Sequence, residues 1–220
     1  VTNTPHSKMN EIGTLVPVNM RDSINNALGK IEKEHGDIDT FVAKELQMDV
    51  EELRAALGAE QVDSLALAIN NAKNGKGFIV GSQTGIGKGR IAAAMIRYAI
   101  KQGKTPIFFT EKPNLYSNMI QDLIDVGMGE ELGLMSNDQK ILITNNEKSV
   151  DYKITQGDID VEYRLKSVGN EAASSARFGK MIKDNSLGKY KVIFSTYSQL
   201  QTKKDNKGNV DYQEIGRAHV

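Results

Sequence analysis

The sequence predicts an α/β fold, a parallel sheet preceded by a small helical segment. Three observations point there. Apolar residues recur at helical spacing through residues 20–74. Short, wholly apolar runs then alternate with amphipathic stretches. One Gly-rich turn stands between such a run and a helix.

Residues 1–19, with Pro5, Gly13 and Pro17, read as an irregular lead-in. Ile24, Ala27, Leu28 and Ile31 mark a first helix before Gly36, and Phe41, Val42, Glu45 and Leu46 a short second one. Asp49 with Glu52 three residues on predicts a capped start to a third, carrying Leu53, Ala56 and Leu57. A fourth runs from Ala59 to Lys73, burying Val62, Leu65, Ala66 and Ile69, and Asn74, Gly75 and Gly77 stop it. Phe78-Ile79-Val80 reads as a buried parallel strand, followed by the Gly-rich turn and a helix over 88–102. Residues 106–110 predict a second strand, 115–126 a helix, and Ile141–Ile143 a third strand. A hairpin turning at 145–148 is expected to bring the chain back near Tyr152–Ile154. A helix over 171–183 leads to the run 191–196, the clearest strand of the second half. Strand and helix alternate as in a parallel sheet.

Composition excludes several classes. Apolar content is too high for a disordered chain, and no apolar run reaches the roughly 18 residues of a membrane span. The absence of Cys removes disulfides and thiolate metal sites and fits a cytoplasmic setting. His6, His35 and His219 lack metal-ligand spacing. Charge is balanced overall, but residues 1–75 hold 7 Lys/Arg against 12 Asp/Glu, and the remainder 21 against 16. The second part is therefore the better face for a polyanion.

The chemistry concentrates in Ser82-Gln83-Thr84-Gly85-Ile86-Gly87-Lys88, between the run 78–80 and the helix. This is the layout of a phosphate-binding P-loop. Small residues let successive backbone N–H groups turn inward on phosphate oxygens, and the helix start adds its positive dipole end. Lys88 reaches the β- and γ-phosphates as a point charge. Ser82 stands where the general pattern has Gly. Gly89 stands where it has the Ser or Thr whose hydroxyl binds Mg²⁺, so the metal is left to water, phosphates or a neighbour such as Thr84.

Thr84-Gly85-Ile86-Gly87-Lys88-Gly89-Arg90 resembles motif I of superfamily 2 helicases of the Strawberry notch type, where Gly at position 89 is a family trait. The chain also resembles helicase-like ATPases of large phages and mobile elements. The resemblance spans about residues 50–200 and implies an incomplete RecA-like P-loop NTPase domain over 75–213, preceded by a helical accessory segment, 1–74. It implies ATP and Mg²⁺ as cofactors, held by residues 84–90, with Lys88 catalytic and Gln61 reading the adenine edge through an amide that donates and accepts. It implies DNA as partner. Phe108-Phe109-Thr110-Glu111-Lys112 falls where motif Ia ends, and Val192–Ser198 resembles the strand before motif II. Thr110, Lys112, Ser195 and Thr196 are thereby candidates for the nucleic-acid backbone, with local hydroxyl–backbone bonds as the alternative role.

Other features carry less. Asp158 and Asp160 read as solvated, and Asn206-Lys207-Gly208-Asn209 lacks the Asp of a guanine-reading site. The Lys/Arg scatter from Arg164 to Lys191 reads as either a nucleic-acid path or a solvated face. No apolar strand ending in Asp-Glu occurs, and no initial Met. The chain is therefore expected to be an N-terminal fragment, with a second RecA-like domain beyond it. As such it would bind nucleotide without turning it over. Glu214–Val220 reads as a translated sequencing-adaptor tail. The rival to a motor is a nucleotide-binding regulatory or scaffold protein.

Overall fold

The computed structural model describes residues 3–81, 85–136, 138–144, 149–166, 180–181, 183–184, 187–200, 203–204 and 210–211. The expected helix over 171–183 therefore lies largely outside the described residues, as do the 145–148 turn, Asn206–Asn209 and the 214–220 tail. The chain divides into two compact units, Val1–Gly103 with Asp122–Met128, and Lys104–Gln121 with Gly129–Val220.

The first unit is helical: α1 (Val18–His35), α2 (Ile38–Leu46), α3 (Val50–Ala56), α4 (Ala59–Lys73) and α5 (Lys88–Lys101). Helix α4 is its hub, packing on α1, α2 and α5. Its Val62, Leu65 and Ile69 are fully buried with Leu28, Ile38, Leu46 and Leu53. The expected cap on α3 is present. Asp49 accepts from the Glu52 N–H at 2.8 Å, and Glu52 accepts from the Asp49 N–H at 2.9 Å. Buried Arg97 of α5 donates to the carbonyls of Leu46, Gln47 and Val126 at 2.7, 2.8 and 2.9 Å. It thereby satisfies the C-terminal end of α2, which has no intrahelical donors left to offer.

Three carboxylates capture the lead-in. Asp63 accepts from the N–H groups of His6 and Ser7, both at 2.9 Å. Asp39 accepts from the Ser7 hydroxyl at 2.5 Å and the Lys8 N–H at 2.9 Å. Glu60 accepts from the N–H groups of Ile12, Gly13 and Thr14. A stretch without secondary structure has orphan backbone donors, and acids on α2 and α4 supply their partners.

The second unit holds a three-stranded parallel sheet in the order β1 (Ile107–Thr110), β5 (Val192–Thr196), β2 (Ile141–Ile143). Thr110 pairs in register with Thr196, and Ile143 with Phe194. Helix α6 (Tyr116–Asp125) follows β1 after a single turn of 3₁₀ helix, and its Tyr116 ring packs 5.2 Å from that of Phe194. The α/β architecture is as the alternation of periods predicts.

Two expectations are corrected. Phe78–Val80 is not a buried strand. Among the described residues it pairs with no strand, and Phe78 is 38% and Ile79 90% exposed. No described strand supplies its ladder hydrogen bonds, and three apolar residues cannot hold a strand without them. The hairpin is also later than expected. It consists of β3 (Ser149–Gln156) and β4 (Ile159–Lys166), turning at Gly157-Asp158 with Gly157 at φ 65°. Two central residues with a left-handed glycine suit the twist of the flanking strands, a stronger signal than the Asn-Asn-Glu-Lys stretch.

Candidate nucleotide-binding site

The Gly-rich turn is built on two glycines in the left-handed region, Gly85 at φ 95° and Gly87 at φ 73°. A Cβ would strain both. At Gly87 it would also stand 2.5 Å from Nε2 of Gln61. Ile86 between them is buried and anchors the turn. Helix α5 starts at Lys88 with Gly87 as its N-cap, and no side chain caps it. An uncapped helix end behind a left-handed glycine turn presents N–H groups and a positive dipole end to an anion. Lys88 is exposed at that junction. With Lys76 it borders a groove of about 350 Å³ lined by Phe78, Val80, Ile91 and Met95, within the usual range of ligand sites. These residues fit a phosphate group by backbone geometry and charge alike. Ser82, Gln83 and Thr84 lie outside the described residues.

Gln61 is tied to this turn. It is 7% exposed, not an ordinary surface residue of a first helical turn. Its Oε1 accepts from the Gly58 N–H at 2.9 Å, and its Nε2 donates to the carbonyls of Ile86 at 2.8 Å and Gly87 at 3.3 Å. Neighbouring Glu60 holds the lead-in, so the first turn of α4 fastens both segments.

Arg90 also acts inside the protein. It donates to the Ala56 carbonyl at 3.1 Å, pairs with Asp125, and lies 3.7 Å from Asp122. Burial holds the Asp122 carboxyl above its usual range; Arg90 opposes the shift and Asp125 adds to it. Asp122 lies against Gly89. Neither Asp122 nor Glu60 stands in any motif of the sequence. The signal for the first is indirect, a P-loop position lacking its hydroxyl.

The candidates for nucleic-acid contact belong to the second unit. Thr110 and Thr196 end adjacent strands side by side and are nearly buried. Ser195 is fully buried and its Oγ accepts from Thr144 at 2.8 Å, while Thr196 exchanges a 2.8 Å bond with Ser198. Lys112 is exposed beside Glu111, with Nζ–Oε1 3.8 Å. Of the scattered cations, Arg164, Lys189 and Lys191 pair with Asp151, Asp138 and Glu131.

Comparison with family models finds one that describes a P-loop containing NTP hydrolase, pore-1, and matches residues 37–215. The chain belongs to this family. The pore-1 match runs through α2–α6 and the whole parallel sheet, so α2–α4 are covered by the same family model as the P-loop. Neither the curated proteins nor the solved structures give a match. A P-loop NTP hydrolase domain binds and hydrolyses a nucleotide, and the glycine turn with Lys88 is the candidate for that site. No described helix is long and apolar enough to cross a membrane.

Proposed function

We propose that this pore-1 chain is the ATP-binding part of a superfamily 2 DNA helicase or translocase resembling Strawberry notch, which couples ATP hydrolysis to movement on nucleic acid. The observation that carries the reading is the glycine turn at the uncapped start of α5, with the Gln61 amide fastened to it. Lys88 neutralises the β- and γ-phosphates, and the backbone of 84–89 cradles them. Arg90 holds the start of α5 in place. Bound Mg²⁺ supplies charge neutralisation at the phosphates. Gln61 selects the base by acceptance alone. The resemblance implies an amide that donates and accepts, but both Nε2 hydrogens are committed to the Ile86 and Gly87 carbonyls. Its Oε1 keeps one lone pair beyond the bond from Gly58. That lone pair accepts from the amino group of adenine and opposes the carbonyl oxygen of guanine. Of the four strand-end candidates only exposed Lys112 is free to meet DNA, because Thr110, Ser195 and Thr196 are buried and the Ser195 and Thr196 hydroxyls bond within the protein. A second RecA-like domain completes the motor.

Phosphate release by the intact protein tests this, with ATP or GTP, with and without DNA, in wild type and Lys88→Ala. The expected result is a preference for ATP, stimulation by DNA and no turnover in the variant. Losing one charge-assisted phosphate contact costs about 1.5–3 kcal/mol in binding and more in the transition state. Hydrolysis indifferent to DNA favours the regulatory or scaffold alternative. Normal turnover by Lys88→Ala removes the motif from the site.

A further inference from the structure

Gly89 poses a chemical question. P-loops place there a hydroxyl that binds Mg²⁺, and its backbone here is helical, so no left-handed conformation demands glycine. The demand is steric. A Cβ on Gly89 would stand 2.3 Å from Oδ2 of Asp122 and 3.3 Å from its Cγ, so no side chain fits unless Asp122 moves. The carboxylate lies in the space a Ser or Thr would occupy. It is held there, because Arg90 sits 3.7 Å from Oδ1 and is itself anchored on Asp125 and the Ala56 carbonyl. The side chain keeps 25% of its surface exposed, so a small cation can approach.

From these contacts we propose that the Asp122 carboxylate replaces the motif's hydroxyl as the protein's oxygen toward the Mg²⁺ of bound nucleotide, and that Gly89 is glycine to admit it. The proposal rests on the P-loop reading above. Mg²⁺ is ordinarily held by one or two carboxylates together with substrate phosphates. Among the described residues no group of three His, Cys, Asp or Glu could hold a metal ion. In the proposed site the nucleotide's phosphates supply the ion's other ligands. A carboxylate at the first turn of α5 repels a bare triphosphate and attracts its Mg²⁺ complex. Asp122 thus makes the site selective for the metal-bound form. A hydroxyl, being neutral, does so less.

The test is binding of a fluorescent ATP analogue to the full chain, in Mg²⁺ and in EDTA, with Mn²⁺ paramagnetic resonance as a second readout. In wild type, Mg²⁺ is expected to tighten binding. Asp122→Asn and Asp122→Ala should lose roughly tenfold or more of that gain, bind as well as wild type or better in EDTA, and change the resonance of the nucleotide-bound Mn²⁺. Gly89→Ser should bind poorly because the serine meets Asp122. Gly89→Ser with Asp122→Gly should recover the Mg²⁺ gain through the restored hydroxyl. An undiminished Mg²⁺ gain in both Asp122 variants overturns the proposal and leaves Asp122 as a spacer. Failure of wild type to bind the analogue under either condition, or binding that Lys88→Ala does not alter, instead overturns the P-loop reading itself.

Discussion

Single side chains of α4 decide how the Gly-rich turn is held. Gln61 makes three internal hydrogen bonds, two of them to the turn, so truncating it strips partners from Ile86 and Gly87. Gln61→Ala is expected to weaken ATP binding severalfold, since a net hydrogen bond is worth about 0.5–1.5 kcal/mol. It should also bring the ATP and GTP affinities together. Competition between the two nucleotides reads both effects. A variant that weakens ATP and GTP equally, with their ratio preserved, would leave Gln61 an anchor of the turn with no part in choosing the base.

Elements differ sharply in what maintains them. Helix α3 is seven residues long, below the length at which a helix persists alone, and its cap matters accordingly. Asp49→Ala should lower stability by about 1 kcal/mol, measured by denaturant unfolding. The run 78–80 behaves differently. Ile79 is 90% exposed, so Ile79→Ser should change stability by under about 0.5 kcal/mol. Phe194→Ala in fully buried β5 should cost about 3–5 kcal/mol. A large loss at Ile79 would mean that Phe78–Val80 forms the buried strand its composition suggests.

At the scale of the whole molecule, acids on helices hold the lead-in, so pH reaches the fold through them. Burial pushes the Asp63 carboxyl up to about 6, against the N–H groups of His6 and Ser7, which favour the charged form. The folded value lies above the unfolded one of 3.8. Asp63 therefore contributes stability that is fully present below the unfolded value and is lost as pH rises through about 6. Glu60 runs the other way. The N–H groups of Ile12, Gly13 and Thr14 hold its carboxyl below 4.5, despite an opposing effect of burial. Its contribution is lost as pH falls. Asp63→Asn isolates the first effect. The variant lacks one acceptor at every pH, but its stability relative to wild type should rise by roughly 2 kcal/mol between pH 4 and 7. Parallel pH profiles for the two proteins would exclude a titrating Asp63.

Local pattern was enough for much of this molecule. The ends of α4, the cap of α3, the strand Ile141–Ile143 and the α/β class follow from period, caps and glycines, because those forces act between residues a few positions apart. The left-handed turn at Gly85 and Gly87 with Lys88 behind it was legible for the same reason. The fate of Phe78–Val80 was not, since an apolar run becomes a strand only where another strand meets it. Nor were the partners of Arg90 and Gly89. Arg90 stands inside a phosphate-binding motif yet reaches Asp125, 35 positions away, and Gly89 is explained by a carboxylate 33 positions away. The sequence by itself determined that a left-handed glycine turn precedes a helix starting at Lys88. Only the tertiary structure decided which distant side chains brace it, because packing brings together residues that no spacing rule connects.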